Sequence, residues 1–292
     1  MALSIFTSGA AMSSTNALNK SNSILSTAME RLGTGKRINS AADDAAGLQI
    51  ATRLQGQVNG MGVAQRNVSD ATAMLQTAEG AFDEVTNILY RMKDLATQAA
   101  NDTNGTNERT AIGAEVNELV KELGNIMTKT SYAGETLFTD AAATTFASGG
   151  KLGAAINFQI GAGKDEKLAL DLSTAQGAVM TELVKFGTAS TPAVALTNAA
   201  DAGTLITNVG TALDKVGTMR SSLGANINRL GHTSANLANM KDNTTLALGN
   251  IRDADFASEA TNMTRNQMLA QTSMSMLKQA NSMSGMVMSL LG

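Results

Sequence analysis

Apolar residues recur every seventh position along most of this chain, while the residues between them change character from one segment to the next. The clearest series is Val68, Leu75, Phe82, Leu89 and Ala96, each followed three residues later by Ala71, Ala78, Val85, Met92 and Ala99. Two interleaved sevens at that offset put one continuous apolar stripe on a helix, the seam of a coiled coil or a long bundle helix. Asn101-Asp102-Thr103-Asn104-Gly105 ends the series with turn formers and no apolar member. Ile112, Val116, Leu119, Leu123 and Ile126 then step by threes and fours, and the short polar link predicts an antiparallel helix pair. A third seam, Val209, Val216, Leu223, Leu230 and Leu237, has no sequence neighbour to cover it. It is expected to pack on the first two, which makes the helical rod discontinuous and closes it with segments from both ends.

The two ends keep the spacing but lose the charge. Residues 1–29 carry one charged side chain, Lys20, and residues 266–292 carry one, Lys278. Leu18, Leu25 and Leu32 repeat by sevens in the first, and Leu269, Met276, Met283 and Leu290 in the second, with Ala280 and Val287 four residues after two of them. A helix of this kind can bury a seam against other helices, yet carries too little charge to stand alone in water. Assembly is the expected role of these ends, with the seven Leu and Met positions as the packing residues.

Between the helical blocks the period shortens to two. Ile156, Phe158 and Ile160 alternate with polar residues, then Leu168, Leu170 and Leu172 do so after a Gly161-Ala162-Gly163-Lys164-Asp165 gap, predicting a β-hairpin. Residues 173–204 hold the one proline, Pro192, among many Thr and Ala, and read as an exposed excursion. Ser40-Ala41-Ala42-Asp43 has the spacing of a helix cap, compatible with an ordinary helix start or with a boundary between the charge-poor end and the rod.

Chemistry narrows the field by failing to appear. A net charge of −3 without a Lys/Arg patch argues against nucleic acid, and the absence of cysteine removes disulfides and thiolate nucleophiles. Gly33-Thr34-Gly35-Lys36 and Gly161-Ala162-Gly163-Lys164 mimic phosphate loops, but both lack the upstream glycine and the Ser/Thr after lysine. His232, the lone histidine, cannot build a multi-histidine metal site and reads as a polar position on the third helix. Asp43 and Asp44 diverge by about 100° on a helix and read as first-turn charges favoured by the helix dipole, not as a carboxylate dyad. The seventeen methionines read as pliable packing residues. No cofactor, metal or enzymatic activity is expected. The start, MALSIFTSGAAMSS, lacks the form of a secretory signal, and no run is long enough for a membrane span.

Several long stretches then become familiar: Leu32-Gly33-Thr34-Gly35-Lys36-Arg37-Ile38-Asn39-Ser40-Ala41-Ala42-Asp43-Asp44-Ala45-Ala46-Gly47, Gln76-Thr77-Ala78-Glu79-Gly80-Ala81, Arg220-Ser221-Ser222-Leu223-Gly224-Ala225, Arg252-Asp253-Ala254-Asp255-Phe256-Ala257 and Val287-Met288-Ser289-Leu290-Leu291. Over about residues 1–138 and 205–292 the chain closely resembles bacterial flagellins. The resemblance implies a mainly α fold: a long coiled-coil rod closed by N- and C-terminal segments, with a small β-hairpin. It implies a terminal inner-core domain of residues 1–42 and 253–292, a rod domain of 43–172 and 205–252 with the hairpin near 155–172, and the excursion 173–204 standing where relatives carry whole domains. It implies a homo-polymer, the extracellular flagellar filament, with subunits secreted by the flagellar type III route. The implied partners are an export chaperone at the C-terminal segment and the cap and hook–filament junction proteins. Tyr90-Arg91-Met92-Lys93-Asp94-Leu95-Ala96-Thr97-Gln98 resembles the segment that Toll-like receptor 5 recognises in some flagellins, which singles out Arg91, Leu95, Gln98 and, on the second helix, Glu115. A flagellin-like junction protein and, from another class, an intracellular coiled-coil adaptor are the rival readings; an adaptor's heptads should carry charged flanks to the chain ends, which these lack.

Overall fold

The computed structural model describes residues 9–139, 149–187 and 192–291, with side-chain surroundings given as far as residue 283. Among these the chain is mainly α. In order come α1 (Gly9–Thr34), α2 (Ala45–Ala99), α3 (Thr106–Lys129), β1 (Ser131–Tyr132), β2 (Glu135–Thr136), β3 (Ile156–Gln159), β4 (Lys167–Leu170), α4 (Ser173–Leu183), α5 (Ala199–Arg252) and α6 (Phe256–Leu291). Two compact units result, residues 59–241 and residues 1–58 with 242–292. The long helices α2 and α5 contribute to both.

In the unit of residues 59–241 the sevens become a core. All ten apolar positions of the Val68–Ala99 series are buried, as are Val209, Val216, Leu223, Leu230 and Leu237 on α5. On α3 Ile112, Val116 and Leu123 are buried as expected, while at the other two steps Val120 and Met127 are buried and their neighbours Leu119 and Ile126 half-buried. Helix α2 is tied to α3 where Arg109 donates Nε–H to the Ala99 carbonyl at 2.9 Å. It is tied to α5 where Arg220 donates to Glu79 at 2.7 Å and pairs with Asp83 at 2.9 Å.

Two small hairpins close the other sides of this core. Strands β3 and β4 pair antiparallel with Ile156 opposite Leu170 and Phe158 opposite Leu168, the predicted hairpin. The shorter β1–β2 pair was not foreseen; it turns through Ala133 and Gly134, both at positive φ. Just beyond it Phe138 meets Phe82 edge-on, ring centroids 4.8 Å apart.

The segment 173–204 corrects the expectation of an exposed excursion. Helix α4 buries Gln176, Val179, Met180 and Leu183, a step of threes and fours, and Phe186 follows them inside. The buried Gln176 amide donates to the backbone carbonyls of Phe138 and Gly149. Downstream, the Asn117 amide donates to the Val194 carbonyl at 3.1 Å and accepts the Val194 N–H, fastening the strap to α3. Leu196 then lies against Gly113. Small residues surround these apolar anchors, but the anchors set the burial.

Helix starts are built from Asx side chains. Asn198 and Asp201 cap α5 reciprocally: Asp201 N–H donates to Asn198 Oδ1, and Asp201 Oδ2 accepts from the backbone N–H of Thr197 and Asn198. The Thr197 hydroxyl is the largest of the hydrogen bonds that hold the Asp201 carboxyl below its ordinary value.

Candidate assembly surface

In the unit of residues 1–58 with 242–292, α1 and α6 pack along each other. The most covered side chains of α1 are Ala11, Ser14, Leu18, Ser21, Leu25, Ala28 and Leu32, spaced by alternating threes and fours. Those of α6 are Glu259, Met263, Asn266, Ala270, Ser273, Leu277 and Ala280, with the same spacing. This is heptad pairing, but nine of these fourteen positions are Ser, Ala, Asn or Glu. Of the α1 positions only Ser21 and Ala28 are buried; Leu18, Leu25 and Leu32 are half-buried.

The sevens singled out on α6 stand elsewhere. Leu269, Met276 and Met283 lie on a flank of the helix and are 47%, 60% and 51% exposed. The side chain of Leu290 lies outside the described residues. Met268 and Met274 open onto further faces of the same helix, and Met12, Ile24 and Met29 are exposed on α1. Helix α6 therefore carries large apolar side chains on its flanks and far side as well as on its seam. Such a helix belongs inside something larger. Spacing alone did not distinguish the seam from the open flank, because both are apolar and both repeat by sevens.

Polar groups fix where the two helices begin and end. Helix α1 stops at Gly35, at φ +70°, whose N–H donates to the Arg31 carbonyl at 2.9 Å. The following strand-like residues cross those before α6: Lys36 bridges to Asp253, the Arg37 N–H donates to the Arg252 carbonyl, and the Ala254 N–H donates to the Gly35 carbonyl. One turn to either side, the Arg31 guanidinium meets the nearly buried Glu259 carboxylate at 3.0 Å. Asp255 then caps α6 by accepting the Ala257 N–H at 3.0 Å. The mimicked phosphate loop at Gly33–Lys36 is thus the end of a helix and a backbone crossing.

The cap of α2 falls one residue after the expected Ser40–Asp43 pair. Asp43 accepts from the Asn39 and Ser40 N–H groups and the Ser40 hydroxyl, closing a turn, and these bonds keep its carboxyl below the ordinary range. Asp44 caps the helix, accepting the Gly47 N–H at 2.8 Å. A Cβ at Gly47 would lie 2.4 Å from that carboxylate and 2.8 Å from the Ile38 side chain, so a larger residue here requires the Asp44 cap or Ile38 to shift.

The bacterial flagellin N-terminal helical region matches residues 5–143, and the bacterial flagellin C-terminal helical region matches residues 206–291. The chain belongs to the bacterial flagellin family. It is 38% identical to a flagellin of Halalkalibacterium halodurans over 265 residues, 90% of each chain. It is 32% identical to polar flagellin C of Vibrio parahaemolyticus in an alignment spanning both chains in full. Among solved structures it shares its fold with a putative flagellar hook-associated protein of Vibrio parahaemolyticus, at a TM-score of 0.57 and 14% identity, over 72% of this chain and all of that one. Flagellins are the structural subunits of the extracellular flagellar filament, into which they self-assemble.

Other candidate positions of this flagellin separate by depth. Arg91 and Glu115 form an exposed ion pair between α2 and α3, the guanidinium donating at 2.6 Å. Gln98 is exposed as well. Leu95 is 2% exposed, a core residue with no surface to offer a receptor, because it continues the inward side of the heptad stripe. His232 is exposed on α5. Among the described residues, no group of three His, Cys, Asp or Glu has the placement to hold a metal, and no helix is long and apolar enough to cross a membrane.

Proposed function

We propose that this filament subunit joins its neighbours through the open flank of α6, Leu269, Met276 and Met283, together with the uncovered face of α1. The observation that carries this is the combination of exposed apolar side chains on several sides of α6 with one charge, Lys278, beyond residue 265. Each large apolar side chain gains about 1.5–3 kcal/mol on full burial, so a few such positions per subunit suffice to drive association. Leu18, Leu25 and Leu32 serve the same end indirectly, by holding α1 on α6.

Seeded filament growth tests it. Met276→Glu adds a charge to the open flank without touching the intramolecular seam. It should abolish growth on filament seeds while leaving the far-ultraviolet dichroism of the free chain unchanged. Growth at the normal rate would remove this face from the interface. Sustained growth of the purified chain on filament seeds also separates this reading from that of a flagellin-like junction protein.

Export by the flagellar type III route, a chaperone on the C-terminal segment, and contact with cap and junction proteins complete the reading on the strength of the family resemblance. Recognition by Toll-like receptor 5 through Arg91, Gln98 and Glu115 is supported by their exposure on adjoining helices. A receptor reporter should respond to monomer and lose most of its response with Arg91→Ala; no response to the monomer would end that reading.

A further inference from the structure

Methionines in this chain divide sharply by surroundings. Met61, Met74, Met92, Met127, Met180 and Met219 are buried in the unit of residues 59–241. On α6, Met268, Met276 and Met283 are more than half exposed, and Met268 lines an open groove with Ala260, Thr261, Thr264 and Arg265. Thioethers are the one oxidisable group in a chain without cysteine or tryptophan whose state alters packing reversibly.

We propose that Met268, Met276 and Met283 form an oxidation site for two-electron oxidants such as hydrogen peroxide, and that their oxidation blocks assembly. This rests on the assembly reading above. In the step, the thioether sulfur attacks one peroxide oxygen, the O–O bond breaks and an S–O bond forms. Sulfur loses two electrons, and the second oxygen leaves as water after taking up a proton. The product sulfoxide is a strong hydrogen-bond acceptor, on the flank for Met276 and Met283 and on the far side of α6 for Met268, faces that must be dry in the filament, where an unpaired polar group is costly. Subunits already assembled cover the same sulfurs and are shielded. The free chain is sensitive and the polymer is not.

The test treats free chain and finished filaments with the same dose of hydrogen peroxide, locates each added oxygen by peptide mass spectrometry, and measures growth on seeds. Residues 268, 276 and 283 should oxidise at least tenfold faster than Met92 and Met127 in the free chain, and at least tenfold slower in filaments than in the free chain. Seeded growth of the oxidised chain should fall at least tenfold. A chain with Met268→Leu, Met276→Leu and Met283→Leu, compared with its own untreated rate of growth, should keep more than half of that rate after peroxide, although Met12, Met29, Met240 and Met274 remain exposed and oxidisable. Equal loss of growth in that triple variant would overturn the proposal, as would normal growth of wild-type chain carrying sulfoxide at all three positions. Normal growth of untreated Met276→Glu would instead overturn the assembly reading beneath it.

Discussion

The unit of residues 59–241 and the unit built from both chain ends use the same seven-residue spacing and reach opposite results. In the first, Leu75, Phe82 and Leu89 are fully buried, because α2 meets large side chains from α3, α5 and the segment around Phe138. In the second, Leu18, Leu25 and Leu32 stay half-buried against a seam with only Met263 and Leu277 as large apolar members, and most of the larger side chains of α6 stand in the open. A heptad therefore states that a helix has a packing face. Whether that face closes within the chain depends on how many large side chains the fold brings to it.

The comparison can be broken by substitution. Phe82→Ala should lower the unfolding free energy of the free chain by about 3–5 kcal/mol, measured by chemical denaturation, since a cavity opens where both Phe138 and the seam lose a partner. Arg220→Ala should cost about 1 kcal/mol at most, because its partners Glu79 and Asp83 are well solvated. Leu25→Ala, though a larger-to-smaller change on an equivalent heptad, should cost under about 0.5 kcal/mol in the dilute chain, where its helix gains little from the rest of the fold. The same variant should grow filaments markedly more slowly. A dilute-chain loss for Leu25→Ala as large as that for Phe82→Ala would erase the distinction between the units.

The smallest effect is electrostatic. The Asp201 carboxyl is held below its ordinary 3.8 by hydrogen bonds from Thr197 and Asn198 at the start of α5. A depressed carboxyl stabilises the fold fully above the unfolded value and loses that contribution as pH falls through the lower folded one. The α5 cap should thus persist at pH 5 and weaken only below pH 3.8. A carboxyl carbon titration followed by NMR, with its midpoint at or above 3.8, would contradict the cap geometry.

Much of this was legible in the residues. The Val68–Ala99 and Val209–Leu237 seams could be read because apolar side chains mark one face and polar ones the rest. On α3, Leu119 and Val120 are both apolar, as are Ile126 and Met127, so spacing did not choose between neighbours; burial favours Val120 and Met127. Helix α6 is the extreme case, with apolar side chains on so many sides that the sevens of Leu269 and those of Ala270 are equally regular. Helix α4 escaped because its apolar anchors Val179, Met180 and Leu183, and Phe186 just beyond it, sit in a stretch dominated by Thr, Ala and Gly. The cap of α2 was ambiguous between two adjacent aspartates, and only geometry assigns the turn to Asp43 and the cap to Asp44. Which side of α6 faces α1 required coordinates.

Amide hydrogen exchange on the dilute chain and on the filament tests the central contrast most directly. The buried seams of α2 and α5 within residues 59–241 should exchange slowly in both states, whereas α1 and α6 should exchange quickly in the free chain and become protected only on assembly. Slow exchange along α1 and α6 in the isolated chain, matching that of Leu75 and Leu89, would show that the ends close their own seam and would contradict the account.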